Sequence, residues 1–350
     1  MIVERKGTKN NYTFVDLKGN EVKDPGVLEY INKLVIPPNY SDVRIFYQKL
    51  GSPKILYQGY DTKMRLQRIY SADWTKKASR RKICELLNFA EQVPHIAAAV
   101  KEQMATKAFT KNKMIALILR MVMVCYFRIG NKKYQELYGS FGAMNIQKKH
   151  ITFGTGNRPA TDTPTAYMQV SFNGKKGVFN TCKIYDNELI REVKGVLKHR
   201  QPDEMVFLWN NQGVNVPVRA IDINFWLKKF DPVITSKDFR TYDSNIFLII
   251  FLRYQHKPTK LTETARKKVL VQAMKQISEK IHNTPAILKK NYTEAGIVTM
   301  YIKEPNRFER YFFDDNTPKR AFVLYLRDYC KDFVSDKKEI IKQGGGGLSV

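Results

Sequence analysis

Four short segments carry side chains suited to chemistry. ISEKIHNTPAILKKNYTEAGI, from Ile277 to Ile297, places His282, Asn283, Lys289, Lys290 and Tyr292 close together, with Thr284-Pro285 predicting a helix start. Tyr292 is either a surface tyrosine among basic residues or a nucleophile helped by His282 or Asn283. CYFRIGNKKY puts Arg128 at the end of a very apolar helix, where it serves the helix dipole or is held at the edge of a site. SFNGKKG sets Lys175 at the tip of a predicted hairpin, an ordinary turn lysine when read alone. KDFRTYDSNIFLIIFL places Arg240 directly before an apolar helix, with Asp238 and Thr241 beside it as orienting or capping groups. An arginine at a helix start opposes the macrodipole, so a partner anion is expected there, a carboxylate or a substrate phosphate.

The chemistry is narrowed by what the chain lacks. It has no Gly-rich phosphate loop, no Ser/His/Asp signature, no DxD clustering of the kind that binds Mg²⁺ and no CxxC pair. Chemistry on a phosphodiester would then rest on side-chain cations in place of a metal. Arginine suits that role, being planar, permanently charged and able to bind two phosphate oxygens. Two arginines and a neutral donor would meet the charge that grows on the nonbridging oxygens in the transition state.

The whole composition points to a polyanion. Among 350 residues, 60 Lys and Arg face 33 Asp and Glu, a formal charge of +27. The excess runs along the chain and is interleaved with 12% aromatics, which favours nucleic acid over lipid headgroups. A hydrophobic fraction of 43% is enough for one large or two modest domains. Cys84, Cys125, Cys182 and Cys330 are far apart in sequence, so neither a zinc site nor a disulfide framework is expected and a reducing intracellular setting is the default. MIVERKGTKN has no apolar core, so no signal peptide is expected. The apolar run from Met114 to Phe127 is broken by Arg120 and too short to span a bilayer, so it reads as a buried helix of a soluble protein.

The elements that must position these residues fall into two parts. The first reads as β-rich: NYTFVDLKGNEVKD predicts a hairpin around Gly19-Asn20, and DVRIFYQ and KILYQGY predict further strands. SADWTKKASRRK, polar and basic, predicts a hinge. From Ile83 the period turns helical, through KICELLNFAEQVPHIAAAVKEQM and the run ending at Gly130. KKHITF, AYMQVSF and GVFNTCKI predict a small sheet whose last two strands are joined by NGKKG, after which helices continue to the C-terminal region. The fold class is α+β: an antiparallel β-rich domain over residues 1–77, a mainly α-helical domain with a small sheet over 78–343, and a flexible Gly-rich tail over 344–350.

In their order and spacing, these segments resemble the type IB DNA topoisomerases, specifically the compact poxvirus-like form of large DNA viruses. The likeness runs from YINKLVIPPNYSDVRIFYQ and GYDTKMRLQRIYS through YFRIGNKKY, KKHITF, FNGKKG and KDFRTY to NTPAILKKNY. It implies Tyr292 as nucleophile, Arg128 and Arg240 on the scissile phosphate, and Lys175 as general acid toward the leaving 5′ oxygen. The family commonly has histidine before TP; here Asn283 stands there and His282 is displaced by one. An asparagine NH₂ donates to a nonbridging oxygen as a neutral imidazole does, without carrying charge.

The resemblance further implies that the two domains form a clamp around duplex DNA. Gln67 and Tyr70 would contact bases in the major groove, with Arg68 where the poxvirus enzymes have an aromatic residue. Lys133, Tyr134, Lys289 and Lys290 would contact DNA on the catalytic side. It implies a monomer relaxing positive and negative supercoils through a 3′-phosphotyrosyl intermediate, with no cofactor, metal, ATP, membrane or small-molecule substrate. It places the protein in the virion and infected-cell cytoplasm, or the nucleus. Two other readings stand beside it. A tyrosine recombinase shares the chemistry, but usually has a histidine shortly before the second arginine, where this chain has SKDF. An inactive DNA-binding protein fits the charge but does not account for the four residues in order.

Overall fold

The computed structural model describes residues 1–8, 11–157, 164–255, 257–314 and 316–344, with side chains as far as residue 331. By internal contacts the chain divides into Met1–Lys82 and Ile83–Val350.

The first unit is built on strands β1 (Ile2–Thr8), β2 (Asn11–Asp16), β3 (Ser41–Phe46), β4 (Ile55–Tyr60) and β5 (Leu66–Tyr70), with helix α1 (Pro25–Asn32). The sheet order is β2-β1-β3-β4-β5, antiparallel throughout its pairings. Alternation puts Val3, Val43, Ile45 and Tyr57 into a core with Val27 and Ile31 of α1. Asp24 caps α1 by accepting from the Gly26 and Val27 N–H groups. The strands of the N-terminal hairpin are β1 and β2. The turn expected at Gly19-Asn20 is present but leads into no second strand: Asp16 accepts from the Lys18 and Asn20 N–H groups, Glu21 bridges to Val15, and the Val22 N–H donates to the Phe14 carbonyl (2.9 Å).

The basic segment read as a hinge is helical. Helix α2 runs from Ala72 to Ala105, opened by the Ser71 hydroxyl accepting from the Trp74 N–H. Its Ala, Lys and Arg content favours helix once that cap is in place. There follow α3 (Lys111–Cys125), α4 (Lys132–Tyr138), the antiparallel sheet of β6 (Ile151–Asn157), β7 (Pro164–Asn173) and β8 (Phe179–Ile184), and α5 (Asn187–Leu197). A hairpin of β9 (Leu208–Asn211) and β10 (Val214–Pro217) precedes α6 (Ala220–Leu227), α7 (Ser236–Arg253), α8 (Glu263–Lys280), α9 (Pro285–Asn291), α10 (Ala295–Lys303), α11 (Pro305–Phe312) and α12 (Pro318–Gly344). The core of this unit centres on α3, where Met114 to Leu119, Met121 and Val122 are all buried. The Gly-rich end past Gly344 lies outside the described residues.

The four cysteines pair, against the expectation from their spacing. Cys84 of α2 bonds Cys330 of α12 with a Cα–Cα distance of 5.8 Å, and Cys125 at the end of α3 bonds Cys182 of β8 at 5.7 Å. Separations of 246 and 57 residues hide these pairs from any reading of local motifs. No helix among the described residues is long and apolar enough to cross a membrane.

Candidate active site

Three helix ends converge on Tyr292. Helix α3 stops at Cys125 because Tyr126 takes the left-handed conformation (φ 59°) and its N–H closes on the Val122 carbonyl. That turn sends Phe127 into the core and leaves Arg128 three residues beyond the helix. Gly130 (φ +95°) follows, packed so tightly on Gly142 that a β-carbon at Gly142 would lie 2.5 Å from the Gly130 backbone. The Ala143 N–H donates to the Arg128 carbonyl (2.8 Å), so the arginine's backbone is fixed from both sides.

Helix α8 ends at Ile281, and His282 again takes a left-handed conformation (φ 54°). Helix α9 then opens with Thr284 as cap and Pro285 in the first turn, and Tyr292 sits at its C-terminal cap, 8% exposed. Arg240 lies in the second turn of α7 rather than ahead of it, because Asp238 reaches back to the Thr235 N–H (2.7 Å) and hydroxyl (3.0 Å) and starts the helix earlier.

The arginines are held by carbonyls, not by carboxylates. Arg240, 2% exposed, donates through Nη2 to the Ile281 carbonyl (2.6 Å) and through Nη1 to the Tyr126 carbonyl. It thus caps the negative ends of α8 and α3 at once. Arg128 donates through Nη1 to the His282 carbonyl (3.2 Å) and through Nη2 to Asn283 Oδ1 (2.5 Å). Of the two anions expected for Arg240, a carboxylate or a substrate phosphate, no carboxylate takes part in its hydrogen bonds among the described residues. Two buried donors of this site have no partner among the described residues, Arg240 Nε and Asn283 Nδ2. A buried donor left unpaired is costly, so a site that keeps two is built for an acceptor.

The electrostatics agree with that geometry. The Arg240 guanidinium lies 5.2 Å from the centre of the Tyr292 ring, and Lys237 Nζ lies 5.8 Å from it. Burial pushes the Tyr292 phenol up, but the charges of Arg240, Arg128 and Lys237 outweigh it and hold the phenol below its usual 10. Burial and the Arg128 charge bring Arg240 down to about 10, still protonated at neutral pH. Burial, then the charge of Arg240, lowers His282 to about 4, so its imidazole is neutral. Its ring packs 5.3 Å from Phe127, with a hydrogen bond to the Cys125 backbone.

The family model for eukaryotic DNA topoisomerase I, catalytic core, matches residues 71–311, and that for bacterial DNA topoisomerase IB, N-terminal domain, matches residues 11–52. The chain belongs to the type IB DNA topoisomerases. A DNA topoisomerase 1B of Acanthamoeba polyphaga mimivirus is 26% identical over 338 residues, covering 95% of this chain and 96% of the relative. A DNA topoisomerase I of monkeypox virus and a DNA topoisomerase 1B of vaccinia virus (strain Copenhagen) are each 22% identical over 323 residues, covering 91% of this chain and 92% of theirs.

In this topoisomerase Arg128, Arg240, Asn283 and Tyr292 meet in one place, and Lys175 stands apart. Lys175 is exposed at the turn between β7 and β8, where Lys176 (φ 62°) and Gly177 (φ +73°) reverse the chain. No hydrogen bond or ion pair among the described residues joins it to the other four. The hairpin's base is fixed, since the Phe141 N–H donates to the Asn173 carbonyl (2.9 Å).

Of the residues expected to meet DNA, Arg68 and Tyr70 are exposed on the edge strand β5, and Gln67 is half-buried. Arg68 Nε donates to Gln58 Oε1 (3.2 Å) and Gln67 Nε2 to Asp61 Oδ2 (3.0 Å). Lys133 and Tyr134 are exposed on α4, where Tyr134 stacks on Tyr138; Lys289 and Lys290 are exposed on α9. Sequence reasoning missed two residues of the site, Lys237 and Asn245. The Asn245 side chain donates to the Tyr292 carbonyl (3.0 Å) and accepts from the Glu294 N–H (2.8 Å). A helical asparagine in an apolar run was its one signal.

Proposed function

We propose that this type IB topoisomerase opens one DNA strand by attack of the Tyr292 oxygen on the scissile phosphorus. The phenol gives up its proton to water, the P–O5′ bond breaks, a 3′-phosphotyrosyl ester forms, and the 5′ oxygen leaves as a hydroxyl with a proton from Lys175. Arg128 and Arg240 bind the nonbridging oxygens, and Asn283 Nδ2 adds a neutral donor. The observation that carries this reading is the pair of buried, unpartnered donors, Arg240 Nε and Asn283 Nδ2, beside two converging guanidiniums and a tyrosine whose phenol is lowered by them.

A phenol with a pKa near 10 is a fair leaving group, so the ester keeps the energy of the broken bond and the 5′-hydroxyl reverses the step without ATP. The free strand rotates between the two steps, which relaxes supercoils of either sign. Lys175 acts from its exposed hairpin, closing on the site when DNA is bound. Gln67, Arg68 and Tyr70 contact bases, and Lys133, Tyr134, Lys289 and Lys290 contact the backbone, with one molecule acting alone in the infected cell or virion.

The test is relaxation of supercoiled plasmid in EDTA without ATP, run beside a denaturing gel that traps DNA adducts, with the unaltered chain and Tyr292→Phe. Relaxation and adduct by the former, both lost in the latter, are expected. Relaxation that survives Tyr292→Phe would show that another residue is the nucleophile.

A further inference from the structure

We propose that Cys125 and Cys182 form a redox site that sets how firmly the Lys175 hairpin is held to the arginine cradle; this rests on the roles proposed above for Lys175, Arg128 and Arg240. Cys125 is the last residue of α3 and is 1% exposed, while Cys182 is half-buried in β8 opposite Val170 of β7. The bond between them joins the helix end that shapes the cradle to the strand that leaves the Lys175 turn.

What surrounds Cys125 makes that end sensitive. The next residue, Tyr126, is left-handed, a conformation costly for any residue with a β-carbon, and its carbonyl receives Arg240. His282, left-handed as well, hydrogen bonds to the Cys125 backbone, and its own carbonyl receives Arg128. Such conformations persist only where the surroundings over-determine them. The disulfide is one of the constraints on this turn, and removing it lets Tyr126 relax and the base of the hairpin move relative to Arg128.

The chemistry is thiol–disulfide exchange with a low-molecular-weight disulfide such as oxidised glutathione. The Cys182 thiolate, the more accessible, attacks one sulfur of that disulfide and releases one thiol. Cys125 then attacks the Cys182 sulfur and releases the second. Two protein thiols are oxidised, one small disulfide is reduced to two thiols, and their protons go to the released thiolates. The second bond, Cys84–Cys330, joins α2 to α12, which hold none of the residues proposed for catalysis, so it can be removed to leave the first pair as the one read.

The experiment uses the full chain with Cys84→Ala and Cys330→Ala, equilibrated in glutathione buffers of oxidising or reducing ratio. Alkylation and peptide mass read the state of the remaining pair, and single-turnover adduct formation reads the site. Adduct formation about fivefold faster in the oxidised state is expected, the rate equivalent of about one strained residue held in place. Adding Cys182→Ala should abolish the dependence.

Equal rates in the two states, with the bond verified by mass, would overturn the proposal. So would failure of the pair to link in the oxidising buffer, or a dependence that survives Cys182→Ala. No adduct in either state, nor from the unaltered chain, would sink the reading of the active site itself and this proposal with it.

Discussion

Asn283 stands where a histidine is common among the topoisomerases this chain resembles, and its geometry suits the substitution. Its Oδ1 is taken by Arg128, which turns Nδ2 away from the guanidinium as a donor without a partner. Asn283→Ala should slow single-turnover adduct formation by about 10²–10³, the usual cost of one transition-state donor. Asn283→His, which keeps a donor, should cost less. If His282→Ala proves the more damaging change, the donor has been placed one residue too late.

His282 carries a pH prediction instead. Its ordinary value of 6.5 falls to about 4 in the folded chain, so the unfolded chain binds the extra proton first and stability drops as pH falls from about 6.5 to 4. Asp243 works the other way. Burial raises it to about 7 against the pull of Lys319 and Lys280, so its charged form penalises the fold as pH rises from about 4 to 7. Melting between pH 4 and 7 should therefore vary little in the unaltered chain. Asp243→Asn should expose a loss of stability toward acid, and His282→Asn a loss toward neutrality; parallel pH profiles for all three chains would contradict this.

At the scale of elements, α7 and the C-terminal end of α8 do most of the positioning. Helix α8 presents its terminal carbonyls to both arginines, and α7 carries Arg240 together with Asn245. Asn245 is fully buried and joins three backbones: it donates to the Thr241 carbonyl (2.8 Å) and the Tyr292 carbonyl, and it accepts from the Glu294 N–H. Asn245→Ala would leave a buried N–H and a buried C=O unpaired, a loss of about 2 kcal/mol read as a lower melting temperature. Adduct formation should slow tenfold or more while DNA affinity holds, because Asn245 positions the backbone of Tyr292, the proposed nucleophile, and is remote from solvent. Unchanged adduct rates in a stably folded Asn245→Ala would refute that role.

The apolar periods of α3 and α7, the Thr284-Pro285 start of α9 and the NGKKG turn could all be read from sequence because each is a local signal. What brings Arg128 and Arg240 to Tyr292 could not. It depends on two left-handed residues, Tyr126 and His282, that are not glycine and carry no composition cue. The cysteine pairs and the helical course of the basic segment after Ser71 likewise depend on contacts or caps that spacing does not encode.

Across the whole molecule, the charge of +27 is not spread evenly in effect. Several cations of the second unit are spent on carboxylates, as in buried Lys113 with Glu192 and the more exposed Arg120 with Asp186 and Lys111 with Asp222. Lys237, Lys289 and Lys290 are exposed around Tyr292, and no ion pair among the described residues involves them. A cation without a carboxylate partner is free to release a counterion from DNA, whereas a paired one must first break its bridge. DNA affinity should therefore fall steeply with salt, and the steepness should come from the second kind of cation, not from the total. Each phosphate contact adds about 0.9 to the slope of log affinity against log salt. The double variant Lys289→Ala, Lys290→Ala should flatten that slope by about 2 and weaken binding alike on all duplex sequences. Tyr292→Phe, which removes no lysine or arginine, should leave it unchanged and so separates binding from chemistry. A slope that does not move in the double variant would place these lysines off the DNA path and leave Lys237, exposed and 5.8 Å from the Tyr292 ring, as the next cation to test.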